Sequence, residues 1–357
     1  MQKEQANKYL ALGVMSGTSL DGLDLALCSF EQNEKWTFQI EKAVTIPYEY
    51  EMAQRLQNPH ELDGHGLTRL HIDHGRLTGM AIRDFLASAE SEPDFIAMHG
   101  HTIFHDPAHG LTLQISAVPE VAAETGITTI GDFRSMDLAL GGQGAPLVPI
   151  GDRMLFGAYD ACLNLGGFAN VSLERDGNRM AWDVCPVNFL LNRLANERDM
   201  DFDTDGNIAR SGSLNEGLMT NLEQIVYYQL HAPKSLGREW FEQEVWPLFH
   251  EGIPLEDRLH TAVQHMVKRL SSDLAGNAAD VLVTGGGAFN KYLIEEFRKK
   301  SGITVDVPSD EIVAYKEALI FAFLGVLRLR GEVNVLSSVT GASADHSAGS
   351  LVLGLRR

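Results

Sequence analysis

The sequence predicts an α/β protein built as two duplicated halves, on three observations. Each half opens with short apolar strands around a small glycine-bearing turn. Each continues with segments whose apolar residues recur at helical spacing. Three glycine-bearing loops, GTSLDG, LGGFAN and TGGGAF, fall where strands end. A chain of 357 residues is also long for one core, which favours two domains. The expected division is 1–136 for an N-terminal α/β domain, with 340–357 as a tail that could rejoin it, and 137–339 for the C-terminal one.

The chain is organised around GVMSGTSLDGLD, Gly13 to Asp24, set between the apolar runs LALGVM and LDLALCSF. The simplest reading is a hairpin with a small polar tip. Glycines let backbone N–H groups face one concavity and the hydroxyls add donors, which suits phosphate oxygens, although an ordinary turn has the same composition. WTFQIEKAVTIPY then reads as a third strand, completing an antiparallel meander. Leu67, Leu70, Ile72, Leu77, Met80, Ile82 and Phe85 predict a long helix within 61–90. DFIAMHG and TLQIS read as short strands, VPEVAAETG as a helix capped by Gly126, and ITTIGDF as a strand.

The second half repeats the pattern. DACLNLGGFANVSLERDGNRMAWDVC reads as a second meander with Gly166 and Gly167 at its tip. Helices follow near 188–197, 218–230 and 255–274. VLVTGGGAFN is a branched strand running into three glycines, with a helix from Asn290, and KEALIFAFLGVLRLR is a closing helix. The two glycine tips are expected to face each other across a cleft, since ligands in such folds bind outside strand ends and between domains.

Composition narrows the class. The chain is 44% hydrophobic and 22% charged, an ordinary globular balance. Its net charge of -19, from 29 Lys plus Arg against 48 Asp plus Glu, argues against nucleic-acid or anionic-membrane partners. No apolar run approaches a membrane span, and MQKEQANKYLALGVM lacks a signal layout, so a cytoplasmic location is expected. Cys28, Cys162 and Cys185 are odd in number and widely spaced, as reduced thiols would be.

None of the three loops is a Walker A loop, because no G-x-x-x-x-G-K-[ST] occurs, and none is a convincing dinucleotide fingerprint. Jointly they resemble the two phosphate loops and the adenosine loop of the actin, Hsp70 and sugar-kinase superfamily. In that superfamily two duplicated RNase H-like domains clamp a nucleotide, the actin-like ATPase fold. The resemblance implies that Ser16, Gly17, Thr18, Ser19, Asp21, Gly22, Asp24, Asn164, Gly166, Gly167, Gly285, Gly286 and Gly287 bind ATP.

A closer resemblance runs in order from Gly13 to Ser343. GVMSGTSLDGLD, HGHT, GDFRSMDLALGGQGAPLVP, NLGGFANVS, PKSLGRE, TGGGAFN and SVTGAS resemble the successive motifs of the anhydro-N-acetylmuramic acid kinases. GDFRSMDLALGGQGAPLVP is the most specific, being long and compositionally improbable. The resemblance implies an ATP-dependent enzyme of cell-wall recycling. Such an enzyme opens a 1,6-anhydro sugar with water and phosphorylates the freed 6-oxygen. It leaves the magnesium ligands unassigned and a homodimer open as the assembly.

Ring opening needs a base to take a proton from water, and phosphoryl transfer needs positioning and charge neutralisation, usually with Mg2+. The resemblance assigns the base to Asp183 in WDVCPVN, where the family carries an Asp-Thr-Gly-Pro-Gly-Asn motif. Asp183, Pro186 and Asn188 are kept, whereas Val184, Cys185 and Val187 depart from it, which puts the backbone path and the sugar fit in question. The alternative reading of an aspartate here is the cap of the next helix, and the flanking motifs favour the base.

Arg134, in GDFR, matches a partner for the sugar carboxylate, or else a surface salt bridge. Glu317 matches a family glutamate on the sugar, with Lys316 before it where methionine is common, or else a partner of the helix dipole. His99, His101 and Thr102 of HGHT match a segment lining the sugar site, often His-Gly-Gln-Thr. A zinc site formed by His99, His101 and His105 is the weaker reading, with no Cys nearby. Two other functions stay open. One is a kinase for another anhydro sugar such as levoglucosan, and the other is a nucleotide-gated binding module without kinase activity.

Overall fold

A computed structural model describes residues 7–17, 20, 22–232 and 234–355. Thr18, Ser19 and Asp21 of the first glycine loop lie outside the described residues. The chain forms two compact units, Met1–Leu155 with Tyr315–Arg357, and Phe156–Ala314. Among the described residues no helix is long and apolar enough to cross a membrane.

In the first unit, β1 (Lys8–Ser16), β2 (Leu23–Gln32) and β3 (Trp36–Ile46) form the antiparallel meander. Register pairs Ser16 with Leu23 at the end of the β1–β2 ladder, as the hairpin reading requires. β4 (Phe95–Asp106) and β6 (Thr129–Gly131) extend the sheet in parallel, β5 (Leu111–Ile115) turns back on β4, and a later strand joins β6 antiparallel. β4 has 12 residues, longer than the short strand that DFIAMHG suggested, because HTIFHD continues it into the hairpin with β5. The predicted helix within 61–90 runs Gly64–Leu86, started by Asp63, whose carboxylate accepts from Gly66 N at 2.7 Å. Gly126 ends the helix Val118–Thr125 at φ 74°.

In the second unit, β7 (Ala161–Leu165), β8 (Phe168–Arg175) and β9 (Asn178–Pro186) form the second meander. β10 (Asp280–Thr284) and β11 (Thr304–Asp306) follow in parallel. The order β9-β8-β7-β10-β11 repeats β3-β2-β1-β4-β6 with the same strand directions. The halves are therefore duplicated RNase H-like domains, and β5 and β12 (Ser350–Val352) are additions to the first. The helix Leu255–Leu274 packs on the second sheet through Leu259, Val263, Met266, Val267 and Leu270.

The units divide at 155/156 and 314/315, not at 136/137 and 339/340 as expected from sequence. Two sets of long-range contacts cause this. Asp137 accepts from Thr340 Oγ1 at 2.7 Å, and Asp152 pairs with Lys316 Nζ at 2.7 Å in a buried ion pair, tying 137–155 to the first unit. The helix Asp310–Arg330 lays its small residues on the sheet: Gly325 faces Phe95 and Ala97, and Gly13 of β1 faces the carbonyl of Ala318. A Cβ on Gly13 would overlap that carbonyl, and its carbon would lie only 2.7 Å away. Gly13→Ala is expected to destabilise the protein by about 3 kcal/mol, read by urea unfolding. A loss below about 0.5 kcal/mol would show that the helix does not need this approach.

Candidate active site

Asp183 lies near the end of β9, opposite Asn170 on β8. One oxygen of its carboxylate, Oδ2, accepts from Leu236 N at 2.8 Å, and its own N–H donates to the Lys234 carbonyl at 3.1 Å. Lys234 and Leu236 of the PKSLGRE motif therefore lie alongside this strand. Tyr227 Oη donates to the Asp183 carbonyl at 2.6 Å. Burial pushes the carboxyl up to about 6, with the Leu236 N–H pulling the other way. Among the described residues Oδ1 has no hydrogen-bond partner, so one oxygen is anchored and the other is left for chemistry.

Asp183 does not cap the following helix. That helix, Asn188–Ala195, has Val187 at its N-cap and no side-chain cap. The departures from the expected motif are core residues: Val184, Cys185 and Val187 are all buried. The ladder skips Val184, pairing Ala169 with Cys185 and Asn170 with Asp183, so the strand bulges directly after the carboxylate. The altered residues fill the core behind the strand and leave the Asp183 carboxylate anchored by Leu236.

The glycine loops of this unit divide by what surrounds them. A Cβ on Gly285, at φ 81°, would overlap Asn164 Oδ1 and come within 2.9 Å of the Leu165 backbone. On Gly287 it would come 2.7 Å from Leu165 Cβ, and on Gly167 it would enter the Phe189 ring at 2.5 Å. Gly286 and Gly166 have room, their nearest neighbours at 3.4 Å being Asn188 Nδ2 and Asn164 Nδ2. Packing thus explains Gly285, Gly287 and Gly167 but not Gly286 or Gly166.

In the first unit, the guanidinium of Arg134 bonds to His99 Nε2 from Nε at 3.0 Å and Nη2 at 2.7 Å, and Nη1 donates to the Gly144 carbonyl at 2.5 Å. Three of its five N–H groups are thereby used and two are left. It is not a surface salt bridge, since these partners are a neutral ring and a carbonyl. Burial lowers Arg134 to about 10, opposed by the charges of Glu317 and Asp137. His99 is buried and donates from Nδ1 to the Gly100 carbonyl at 2.8 Å, which leaves Nε2 as the acceptor for Arg134. Burial and the Arg134 charge hold the imidazole well below its ordinary range. His99 is thus the residue that orients Arg134.

Asp137, fully buried, accepts from Gly144 N at 2.6 Å and from Thr340. It sets the GGQGAP turn, and with it the carbonyl that Arg134 uses. Glu317 is half-buried; desolvation raises its carboxyl, while the charges of Lys316 and Arg134 oppose the rise. Asp24, near the start of β2, accepts from Thr45 Oγ1 at 2.6 Å. Gly22 is required by packing, because a Cβ there would overlap the Ile46 carbonyl at a φ of 154°. The Gly17 carbonyl accepts from Leu20 N at 3.4 Å.

His101 and Ser16 are buried and bonded to each other, Nδ1 to Oγ at 2.9 Å, and Thr102 Oγ1 accepts from Gln114 at 3.4 Å. Tyr48 and His74 continue this chain of bonds, and sequence reasoning missed both; no motif marks them. His105 is exposed and bonded to Thr112 at 3.2 Å. Among the described residues no three His, Cys, Asp or Glu side chains gather as a metal site.

A family model described as anhydro-N-acetylmuramic acid kinase matches residues 9–354. The anhydro-N-acetylmuramic acid kinase of Vibrio cholerae is 34% identical, covering 96% of this chain and 98% of its own. That of Paramagnetospirillum magneticum is 35% identical, covering 95% and 98%. The solved activator of the 2-hydroxyisocaproyl-CoA dehydratase from Clostridium difficile with bound ADPNP aligns at a TM-score of 0.44 and 13% identity. That alignment covers 90% of this chain and 97% of the other, and is too remote to bear on the chemistry. On a match that spans nearly every residue, the chain belongs to the anhydro-N-acetylmuramic acid kinase family.

Proposed function

We propose that this protein uses ATP to convert 1,6-anhydro-N-acetylmuramic acid and water into N-acetylmuramic acid 6-phosphate and ADP. One observation carries the mechanism: Asp183 is a carboxylate raised to about 6, anchored through Oδ2 and with no hydrogen-bond partner at Oδ1 among the described residues. At neutral pH it is ionised yet basic enough to accept a proton, as general-base catalysis requires. Oδ1 takes a proton from water as the water oxygen bonds to the anomeric carbon. The bond from that carbon to the bridging 6-oxygen breaks, the 6-oxygen bonds to the terminal phosphorus of ATP as the bond from that phosphorus to ADP breaks, and Oδ1 then returns its proton to solvent. Arg134 offers its two remaining N–H groups to the lactyl carboxylate of the sugar. Glu317, His101 and Thr102 complete the assignment on the sugar side, and His99, whose two ring nitrogens are taken by Gly100 and Arg134, serves it through Arg134.

Within the two glycine loops of the second unit, Gly286 and Gly166 are the glycines that packing does not require, and approach of the nucleotide is the reason assigned to them. The resemblance assigns Ser16 to Gly22 with Asp24, and Asn164, Gly167, Gly285 and Gly287, to the same nucleotide. Mg2+ is bound by one or two carboxylates together with substrate phosphates, so no three-residue cluster is needed. The hard oxygens of Asp24, close enough to Glu317 for the two charges to interact, fit such a donor set. Held there, Mg2+ would supply neutralisation of charge on the phosphates.

Running the reaction in ¹⁸O water and reducing the product promptly tests the reaction order. Label is expected on the anomeric carbon and none in the phosphoryl group. Label in released phosphate instead would mean a plain ATPase, as for a nucleotide-gated binding module. Phosphorylated sugar without label would mean an ordinary hydroxyl acceptor, and the anhydro-sugar reading would fail. The same assay with levoglucosan, which lacks the carboxylate, reads the contribution of Arg134.

A further inference from the structure

Four buried or half-buried side chains of the first unit form one line of hydrogen bonds. His74 Nε2 lies 2.9 Å from Tyr48 Oη, Tyr48 Oη 2.5 Å from Ser16 Oγ, and Ser16 Oγ 2.9 Å from His101 Nδ1. The four come from separate places: the helix Gly64–Leu86, the segment after β3, the end of β1, and β4. His74 is 0% exposed, Ser16 2% and His101 3%.

The protons on this line can be assigned. Each of the three bonds needs one proton, and the two hydroxyls hold one each, so one imidazole must donate into the line. If His101 donates from Nδ1, Ser16 donates to Tyr48 and Tyr48 to His74. His74 then carries its proton on Nδ1, a buried atom with no partner among the described residues. If His74 donates from Nε2, Tyr48 donates to Ser16 and Ser16 to His101 Nδ1. The buried Nδ1 of His74 then holds only a lone pair. Arrangements in which both imidazoles donate leave a hydroxyl proton without an acceptor among the described residues. Sealing an N–H away from every acceptor is the outcome folded proteins avoid most consistently. The second direction also places both histidines in the Nε2–H form, the tautomer that a free histidine side chain prefers.

We propose that His74 and Tyr48 are positioning residues that act through Ser16 to fix His101 as an Nε2–H donor, aimed at an acceptor oxygen of the sugar. The proposal rests on the placement of His101 in the sugar site. Both rings are neutral at working pH: burial, with the neighbouring His101 and His71, lowers His74 to about 3, and burial lowers His101 to about 4. The selection is therefore between tautomers and not between charge states. A neutral imidazole bonded at Nδ1 has one remaining edge. The line decides whether that edge gives or takes a hydrogen bond, which discriminates between ligand oxygens that accept and groups that donate.

The test uses the full-length chain labelled with ¹⁵N, with histidine nitrogens read by long-range proton–nitrogen correlation. The His101 signal is assigned by its loss in His101→Gln. The expected spectrum shows His101 protonated on Nε2 in the wild type and a mixture of tautomers in Tyr48→Phe. The same variant should raise the sugar KM about three- to tenfold while the KM for ATP stays within about twofold. A wild-type His101 protonated on Nδ1 would overturn the proposal without any variant being made. A tautomer unmoved by Tyr48→Phe would overturn the role of Tyr48 and His74. If the tautomer shifts but the sugar KM does not, the line exists but His101 does not face the sugar, and the sugar-site assignment fails instead.

Discussion

Asp183→Asn is expected to cut turnover by about 10²- to 10⁴-fold while making the protein more stable at neutral pH. The amide keeps the shape and, through its oxygen, the bond from Leu236 N, but it cannot accept the proton from water. The stability gain follows from the same burial that makes the residue a base. Its folded value of about 6 lies above its ordinary 3.8. Below 3.8 the carboxyl is neutral in folded and unfolded chains alike, and burial of charge costs nothing. As pH rises from 3.8 to 6 the unfolded chain ionises first, so stability falls, and above 6 the loss is complete. A rise from 3.8 to about 6 corresponds to a penalty on the order of 2 to 3 kcal/mol at pH 7. The neutral amide escapes it. Thermal melts of both proteins from pH 4 to 8 should therefore diverge up to about pH 6 and then run parallel. In the wild type, kcat/KM should drop about tenfold per pH unit below pH 6, as the base becomes protonated. Near-normal turnover in Asp183→Asn would end the assignment, and an unchanged stability gap across the pH range would show that the carboxyl is not raised.

The elements that sequence made legible are those encoded by local pattern. The hairpin between Ser16 and Leu23, the cap at Gly126, the helix Leu255–Leu274 and the duplicated meanders all follow from alternation, turn chemistry or helical spacing within a few residues. The domain division was not legible, because it depends on Gly13 meeting Ala318 and Asp137 meeting Thr340, partners some hundreds of residues apart. The candidate site divides in the same way. Asp183 and Arg134 stand in motifs that could be matched, but what holds them could not be read. Leu236 acts through its backbone N–H, which leaves no trace in residue type, and His99 reads equally as a ligand or as a support until Arg134 is seen on its Nε2. Tyr48 and His74 look like ordinary amphipathic residues of a loop and a helix; only the fold sets them in line with Ser16. The departures Val184, Cys185 and Val187 seemed to touch the chemistry and instead fill the core.

Gly286→Val is expected to leave the fold intact and weaken ATP binding by about ten- to a hundredfold, a separation of effects that its neighbours cannot show. All three glycines of TGGGAF are equivalent in sequence. In the structure, a side chain at Gly285 would overlap Asn164 and demand a left-handed backbone, and one at Gly287 would meet Leu165 at 2.7 Å. Substitutions there damage the protein before they test the ligand. Gly286 is exposed, has no positive φ, and its missing Cβ would sit 3.4 Å from Asn188 Nδ2, an ordinary contact. A glycine that packing does not need is normally a loss, because it adds freedom to the unfolded chain, and replacement by alanine commonly gains about 0.4 to 1 kcal/mol. Gly286→Ala should therefore be as stable as the wild type or slightly more so, with a modest loss of ATP affinity. Gly286→Val should extend that loss by placing two further methyls where the nucleotide approaches. Calorimetric titration with a non-hydrolysable ATP analogue, alongside thermal melts, reads both effects, and the sugar KM should stay within about twofold. Gly285→Val serves as the contrast, with loss of folded protein expected. A folded Gly286→Val that binds the analogue as tightly as the wild type would remove this loop from the nucleotide site.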